Sequence, residues 1–233
     1  MNIRFHGHSC FEIESEAGRI IIDPYLRGNP STTAKPEDFK QLDAILVTHG
    51  HHDHLGDAVE LSQQTGAPII AVYELAAYCQ SQGAATHGMH IGGKHLFPFG
   101  WVKLTLALHG SGIEETAGGP MIYGGPPCGF LLQIEGKWLY HAGDTGLFGD
   151  MELIGLRHPL ELAMLPIGDN FGMGVEEAAH ASQLLRSKAV IPMHYNTFPL
   201  INQDVNEFLR MLQRRVPETK GVVLNAGESF ELV

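Results

Sequence analysis

The sequence has few cysteines, few basic residues and no long apolar run, and each shortage excludes a class of protein. Its 233 residues include three cysteines, Cys10, Cys79 and Cys128, which are far apart and form no C-x-x-C pair. Neither a disulfide framework nor a zinc site built on thiolates is therefore expected. No run of about 18 apolar residues occurs, and the N-terminal segment lacks the apolar core of a signal peptide. We therefore expect a cytoplasmic protein with no membrane association.

Positive charge is also scarce. Lysine and arginine together number 15 against 26 aspartates and glutamates, which gives a formal net charge of -11. The basic cluster lies near the C-terminus and consists of Arg210, Arg214, Arg215 and Lys220. Nucleic acids are bound largely through contacts between basic side chains and phosphates. We therefore expect a small-molecule substrate and no nucleic-acid partner.

Short apolar runs that alternate with helical patterns indicate an α/β fold. Strands are predicted at 2–5, 10–14, 19–23, 44–47, 68–72, 102–108, 128–134, 137–141, 160–165 and 189–192. Helices are predicted at 57–64, 73–82, 175–187 and 205–216. Asn202 is predicted to cap the last helix. Because no boundary interrupts this mixture, the pattern favours one layered α/β domain over residues 1–233.

Histidine is the residue in excess, and its distribution is uneven. Four of the 14 histidines lie within the sequence VTHGHHDHLGD, which follows an apolar run. Imidazole nitrogens and carboxylate oxygens are ligands for zinc, iron, nickel and manganese. Four such donors, His49, His51, Asp53 and His54, occur within six residues and indicate two metal ions rather than one.

Three further donors each follow an apolar strand pattern. His109 follows VKLTLAL, Asp144 lies in WLYHAGDTG, and His194 lies in AVIPMHYN. Because strand ends meet at one edge of a layered fold, we expect these residues to reach the histidine cluster. Two metal ions in a shared centre lie about 3.5 to 4 Å apart. A carboxylate has two oxygens, so Asp144 is the expected bridge between them.

The order and spacing of these donors resemble the metallo-β-lactamase superfamily, in which an H-x-H-x-D-H motif, a later His, an Asp and a final His bind two metal ions. The segments HGHSCFEIE, IIDPYL, PIGDNFGMGVEEAA and LNAGESFEL are similar to a smaller set of bacterial and archaeal metal-dependent hydrolases related to ascorbate-6-phosphate lactonase. The resemblance spans most of the chain. It implies an α/β fold of the four-layer αβ/βα sandwich type, the metallo-β-lactamase fold, and a homo-oligomer as one assembly state.

Carried over residue by residue, the resemblance implies that His49, His51 and His109 bind the first metal ion. It implies that Asp53, His54 and His194 bind the second, and that Asp144 bridges the two. His52 occupies the variable position of the motif and is not assigned as a ligand. Zinc is the first choice of metal, with manganese, iron or nickel as alternatives. A hydroxide shared by two cations forms near neutral pH, because a bound metal lowers the pKa of water. It would attack a small ester, lactone or phosphoester, with Asp53 and Asp144 as the predicted catalytic residues.

Three residues outside the ligand set are candidates for substrate contact: His8 in FHGHS, Asp23 in IIDP and Asn170 after PIGD. Each of them could instead have a structural role. His8 could be an ordinary turn histidine, and Asp23 could form a turn or orient a metal ligand. Asn170 could belong to a loop that begins a helix. The loops 24–36 and 110–127 are rich in glycine and proline and are candidate substrate lids.

Two other functions stay open at the level of the sequence. A phosphodiesterase or nuclease acting on short nucleic acids would use the same ligands, although the chain has no basic arm to grip a nucleic acid. A non-catalytic metal-binding sensor would keep the ligands but close the cavity beside them. For the hydrolase, two divalent ions would make the mouth of the site positive, so we expect an anionic or carbonyl-bearing substrate.

Overall fold

A computed structural model of the protein describes residues 1–116 and 118–232, and two seven-stranded sheets form its framework. The first sheet has the order β16 (Ser229–Glu231), β1 (Asn2–Phe5), β2 (Phe11–Ser15), β3 (Gly18–Ile22), β4 (Ala44–Leu46), β5 (Ile69–Val72) and β6 (Thr86–Met89). The second has the order β15 (Lys220–Gly221), β14 (Ala189–Met193), β13 (Leu160–Pro166), β12 (Lys137–His141), β11 (Cys128–Ile134), β8 (Gly100–Leu106) and β7 (Lys94–Phe97). A separate short hairpin pairs β9 (Gly112–Ile113) with β10 (Ile122–Tyr123).

The described part of the chain contains six α-helices. They are α1 (His52–Leu55), α2 (Ala58–Thr65), α3 (Tyr73–Ser81), α4 (Met151–Arg157), α5 (Val175–Leu185) and α6 (Val205–Arg215). Helices α2 and α3 contact strands β4 to β6 of the first sheet, whereas α5 contacts β13 of the second sheet and packs against α4 and α6. This arrangement confirms the four-layer αβ/βα sandwich.

Two buried apolar clusters hold the layers together. The larger one joins residues of both sheets, such as Ile13 and Ile45 from the first and Leu132 from the second. The smaller one joins the second sheet to its helices and includes Tyr140 and Phe208. Burying such side chains is the main favourable contribution to folding. The rigid layers therefore fix the strand ends from which the candidate site is built.

The sequence predicted most of the longer elements within one or two residues, and the differences concern short or irregular segments. Asn202 does not cap α6, because the side chain of Asp204 accepts the hydrogen bond from the backbone N–H of Asn206. The loop 110–127, predicted without strands, contains the β9–β10 hairpin. Helix α1 has four residues, too few for a periodic apolar pattern to reveal it.

Across the described part of the chain, no helix combines the length and the apolar character required to cross a membrane.

Candidate metal centre

Four strand ends deliver the predicted ligands to one edge of the sandwich. The H-x-H-x-D-H motif follows β4, and its single helical turn, α1, contains Asp53 and His54. His109 comes shortly after β8, and Asp144 comes shortly after β12. His194 directly follows β14. The strand-end reasoning from the sequence therefore describes how the backbone reaches the site.

One glycine allows the backbone to turn tightly beside Asp144. Gly143 has a φ of +63°, and a Cβ added there would lie 2.7 Å from the carbonyl oxygen of Cys128. A side chain at this position would therefore clash with the backbone in addition to straining it. Gly146 does not share this role, because a Cβ there would meet nothing within 4 Å.

The first ligand group consists of His49, His51 and His109, whose ligand atoms all lie within 4.8 Å of one another. The Nδ1 atom of His51 lies 3.0 Å from Nε2 of His49 and 3.3 Å from Nε2 of His109. Burial lowers the pKa of all three imidazoles, that of His49 most strongly. The rings are therefore neutral near pH 7, and a neutral imidazole offers a lone pair to a metal ion.

The second ligand group consists of Asp53, His54 and His194, and His8 lies in the same cluster of potential donors. The Nε2 atom of His194 is 3.8 Å from Oδ2 of Asp53. Burial raises the pKa of Asp53, but the hydrogen bond from His8 and the nearby His54 outweigh this effect and hold the pKa below its ordinary value. This group therefore contains a charged carboxylate, which the first ligand group lacks.

Asp144 lies between the two groups. Its Oδ2 atom is 2.9 Å from Nε2 of His194, 3.3 Å from Nε2 of His54 and 3.6 Å from Nε2 of His109. The structure thus brings all seven predicted ligands together around this carboxylate.

The donor atoms at the centre fit a bound cation. Nε2 of His54 and Oδ1 of Asp144 are buried, and neither has a hydrogen-bond partner among the described residues. Leaving buried polar atoms unpaired is unfavourable. Both atoms are of the type that ligates divalent metal ions. A cation between them would satisfy both, so the residues present fit the metal that the motif implies.

The electrostatics of this pair agree with that fit. Burial raises the pKa of Asp144, but His194 and His54 outweigh it and hold the pKa well below its usual range. Burial lowers the pKa of His54, but Asp144 and Asp23 outweigh it and raise the pKa well above the usual value. Both shifts arise because the carboxylates and the histidines stabilise each other's charged forms, and ligand groups of this kind exchange protons for metal ions.

Asp23 orients one histidine of each ligand group. Its carboxylate accepts hydrogen bonds from the backbone N–H and the hydroxyl of Thr48, both at 2.8 Å, and lies 2.8 Å from Nδ1 of His54. The Thr48 oxygen, in turn, is 2.9 Å from Nδ1 of His49. If both histidines donate from Nδ1, their Nε2 lone pairs face the centre. Asp23 is fully buried, so its placement fits the ligand-orienting alternative and not the predicted contact with substrate.

His8 holds Asp53 in place. Its Nε2 atom donates to Oδ2 of Asp53 at 3.0 Å, and its Nδ1 atom accepts from the Thr197 hydroxyl at 2.9 Å. Burial lowers the pKa of His8 to about 4, so the ring is neutral near pH 7 and this pattern of donor and acceptor is fixed. Its carbonyl oxygen also accepts from the N–H of His194 at 2.8 Å. His8 therefore supports the ligands and is not placed for the predicted substrate contact.

A cavity of about 430 Å³ opens onto the ligands. One wall is formed by predicted ligands: His51, Asp53, His109, Asp144 and His194. The remaining lining residues are His52, Gly112, Glu114, Met121, Phe171, Phe198 and Leu200. Three of these come from the candidate lid 110–127, whereas none comes from the fully described loop 24–36. Asn170 is exposed and does not line the cavity, unlike its neighbour Phe171, so the predicted substrate contact of Asn170 does not agree with its placement.

Sequence reasoning missed the apolar part of this lining. Phe198 and Leu200 follow the predicted ligand His194 by four and six residues. Phe198 directly precedes the three-residue 3-10 helix Pro199–Ile201, which contains Leu200 and is too short to show a periodic apolar pattern. Large apolar residues in a loop directly after a ligand are the signal that could have identified them. Phe171 could have been found in the same way, beside the candidate Asn170.

Comparison with known proteins agrees with the fold and with a metal-dependent hydrolase. The model of a beta-lactamase superfamily domain matches residues 18–195. A UPF0173 metal-dependent hydrolase of Desulfitobacterium hafniense is 63% identical over 235 residues, covering 99% of this chain and 98% of that protein. Another, from Pelotomaculum thermopropionicum, is 54% identical over 233 residues and covers 100% of both chains. The solved structure of a metallo hydrolase from the hyperthermophilic archaeon Ignicoccus hospitalis has a TM-score of 0.88 and 36% identity, covering 99% of this chain and 98% of that chain.

Proposed function

We propose that this chain, which belongs to the UPF0173 metal-dependent hydrolases of the beta-lactamase superfamily, uses two metal ions to hydrolyse a small ester, lactone or phosphoester. Metal-dependent hydrolysis is the activity of its family, and the proposal adds the number of ions and the substrate class. The observation that carries it is that seven nitrogen and oxygen donors meet beside an open cavity. A purely structural zinc site is closed, and a sensor without activity would need no such cavity.

The donor arrangement supports one ion in each ligand group. His49, His51 and His109 would hold the first ion, and Asp53, His54 and His194 would hold the second. Asp144 would contact both, and we propose zinc as the metal because histidine and carboxylate donors suit it. The chemistry that bound ions supply is Lewis acidity, which acidifies water and polarises a carbonyl or phosphoryl oxygen.

The chain itself supplies a group that can carry a proton. Asp53 lines the cavity, and its carboxylate is held towards the second ligand group by His8. In this position it can accept a proton from the attacking water and return it to the leaving oxygen. Overall, one water is consumed and the bond to the leaving oxygen breaks, which gives an acid and an alcohol from an ester or phosphoester and a single hydroxy acid from a lactone. A carboxylate fixed in position before the substrate arrives needs little reorganisation during the reaction.

The test combines metal content, stability and activity. Metal-free protein is reconstituted separately with zinc, manganese and nickel, and each sample is assayed on lactones, carboxylic esters and phosphodiesters. We expect close to two ions per chain by elemental analysis, a higher melting temperature than the metal-free protein, and hydrolysis that depends on the metal. Full activity of metal-free protein, or saturation at one ion per chain, would contradict the proposal.

A further inference from the structure

The part of the cavity lining outside the predicted ligands is largely apolar and open to solvent, and its large apolar side chains are called the apolar wall here. Met121, Phe171, Phe198 and Leu200 lie on it. The exposed fractions are 64% for Met121, 49% for Phe171 and 68% for Leu200. Single exposed apolar residues are common on protein surfaces, but a group of them around one cavity is typical of a binding site. An apolar part of a ligand would cover this wall and release the water in contact with it.

Basic side chains are missing from the same cavity. Its lining residues, all within the described part of the chain, include no lysine or arginine. The one charged side chain outside the ligand wall is Glu114, which is exposed at the rim. Protein sites that bind a phosphate or carboxylate generally use arginine or lysine. An anionic group away from the scissile bond would meet apolar surface and a like charge here, and it would lose hydration without gaining a partner.

We infer that the substrate is a neutral carboxylic ester or lactone with an apolar chain or ring, and that Glu114 excludes anionic analogues. The inference rests on the proposed function and narrows its substrate class. The scissile carbonyl lies at the ligand wall, while the apolar part lies against Phe171, Phe198 and Leu200. The sequence led us to expect an anionic or carbonyl-bearing substrate. The ligand wall favours a carbonyl group, whereas the carboxylate of Glu114 disfavours a negative charge on the substrate. The inference therefore keeps the carbonyl-bearing substrate and excludes the anionic one.

A chain-length series tests the apolar wall. Zinc-loaded protein is assayed on 4-nitrophenyl esters of neutral acids from acetate to hexanoate. We expect kcat/KM to rise about two- to fourfold for each added methylene group, as for an apolar pocket that covers the chain. Equal kcat/KM values along the series would overturn the inference. Preference for bis(4-nitrophenyl) phosphate over every neutral ester would also overturn it and would favour a phosphodiesterase.

A matched pair of substrates and a matched pair of variants test Glu114. The mono-4-nitrophenyl ester of glutaric acid has the chain length of the pentanoate ester but ends in a carboxylate, and we expect at least about tenfold lower kcat/KM for it. In Glu114→Gln the ratio of the two kcat/KM values should shrink about three- to tenfold, because the carboxylate that repels the anionic ester is gone. The kcat/KM for the pentanoate ester should change little. Glu115→Gln makes the same change in net charge, but Glu115 accepts a hydrogen bond from Tyr78 and does not line the cavity. Equal effects of both variants would show only a general charge effect and would contradict the role of Glu114.

Binding without turnover separates this inference from the proposed function. Methyl ketones from 2-pentanone to 2-nonanone are neutral and cannot be hydrolysed, so calorimetry reports only their affinity. We expect the Kd to fall with chain length in the zinc-loaded protein and to be several-fold higher in Phe198→Ala for the longer ketones. Such binding without hydrolysis of any ester would contradict the proposed function and support the apolar pocket. Hydrolysis without chain-length dependence in either assay would support the function and overturn this inference.

Discussion

The first and second ligand groups differ in how the rest of the chain holds them. In the first group, His49 is fully buried and its Nδ1 contacts Thr48. The ring hydrogen bonds of His51 and His109, within the described chain, connect only to other ligands of that group. Both of these side chains are also partly exposed at the cavity.

In the second group, every ligand has support from outside the group. Asp53 accepts from His8, and Nδ1 of His54 lies against Asp23. The backbone N–H of His194 is bonded to His8, and His194 adopts a left-handed φ of +54°. Non-glycine residues in this conformation need support from their surroundings. The second group is therefore organised before any ion binds, whereas the first group depends more on the ion to arrange its rings.

The difference predicts unequal affinities for the two proposed ions. Supporting hydrogen bonds to ligands typically change metal affinity by about 10- to 100-fold, and the second group also contains the charged Asp53. We therefore expect the second group to fill first as metal is added. The first group should then exchange its ion more readily with the solvent.

The largest expected effect comes from the carboxylate that both groups share. Asp144→Asn keeps the size of the side chain but removes its charge, so both ions should bind more weakly and kcat should fall by about 10³-fold or more. Metal titration and steady-state kinetics on lactones or esters measure the two effects. Near-wild-type kcat with two bound ions would show that Asp144 is not shared as proposed. A cooperative thermal transition of the metal-free variant would exclude misfolding.

A ligand of the first group should affect one ion only. His51→Ala should bind one ion per chain with the affinity of the tighter wild-type site, and kcat should fall by about 10²-fold or more. Elemental analysis and metal titration provide the measurement. The matched control is His52→Ala, since His52 adjoins His51 in sequence and lines the cavity but belongs to neither ligand group. Loss of both ions in His51→Ala would mean that the groups are not independent.

Asp23 should affect both groups to a smaller extent, because it orients a ligand in each. Asp23→Asn removes the charge and leaves one acceptor oxygen in place of two, so the hydrogen bonds from Thr48 and His54 cannot all be kept. Both Kd values should therefore rise about 10- to 100-fold. Asp43→Asn is a suitable control, since Asp43 is an exposed carboxylate that also accepts a backbone hydrogen bond, from Arg19. A change in one Kd alone would show that Asp23 supports a single group.

His8 should show the smallest effect and the clearest difference between the groups. His8→Ala removes the donor to Asp53, so the Kd of the tighter ion should rise by about tenfold while that of the weaker ion stays within about twofold. Thr197→Val keeps His8 but removes its hydroxyl partner, and a smaller shift in the same direction is expected. Equal weakening of both ions in His8→Ala would contradict the assignment of His8 to the second group.

The sequence located the candidate ligands more readily than the residues that support them. His49 to His54 form a local motif, and His109, Asp144 and His194 could be located because apolar strand patterns precede them. The supports depend on tertiary packing. His8 and Thr197, for example, are separated by 189 positions, and no local pattern indicates their hydrogen bond. The apolar cavity wall was missed for the same reason, because only the folded chain defines the position of Phe198 and of the short 3-10 helix that contains Leu200.

The long separation between His8 and Thr197 also has a consequence for biosynthesis. The nascent chain emerges from the ribosome with its N-terminus first, so the motif from His49 to His54 is exposed long before His194 and Thr197 are made. An ion captured early by the motif lacks the last ligand and the partner that fixes His8. With His194 as the proposed ligand, hydrolytic activity cannot begin until the segment after β14 has been made and has folded onto the N-terminal strands, which would link the onset of catalysis to late translation.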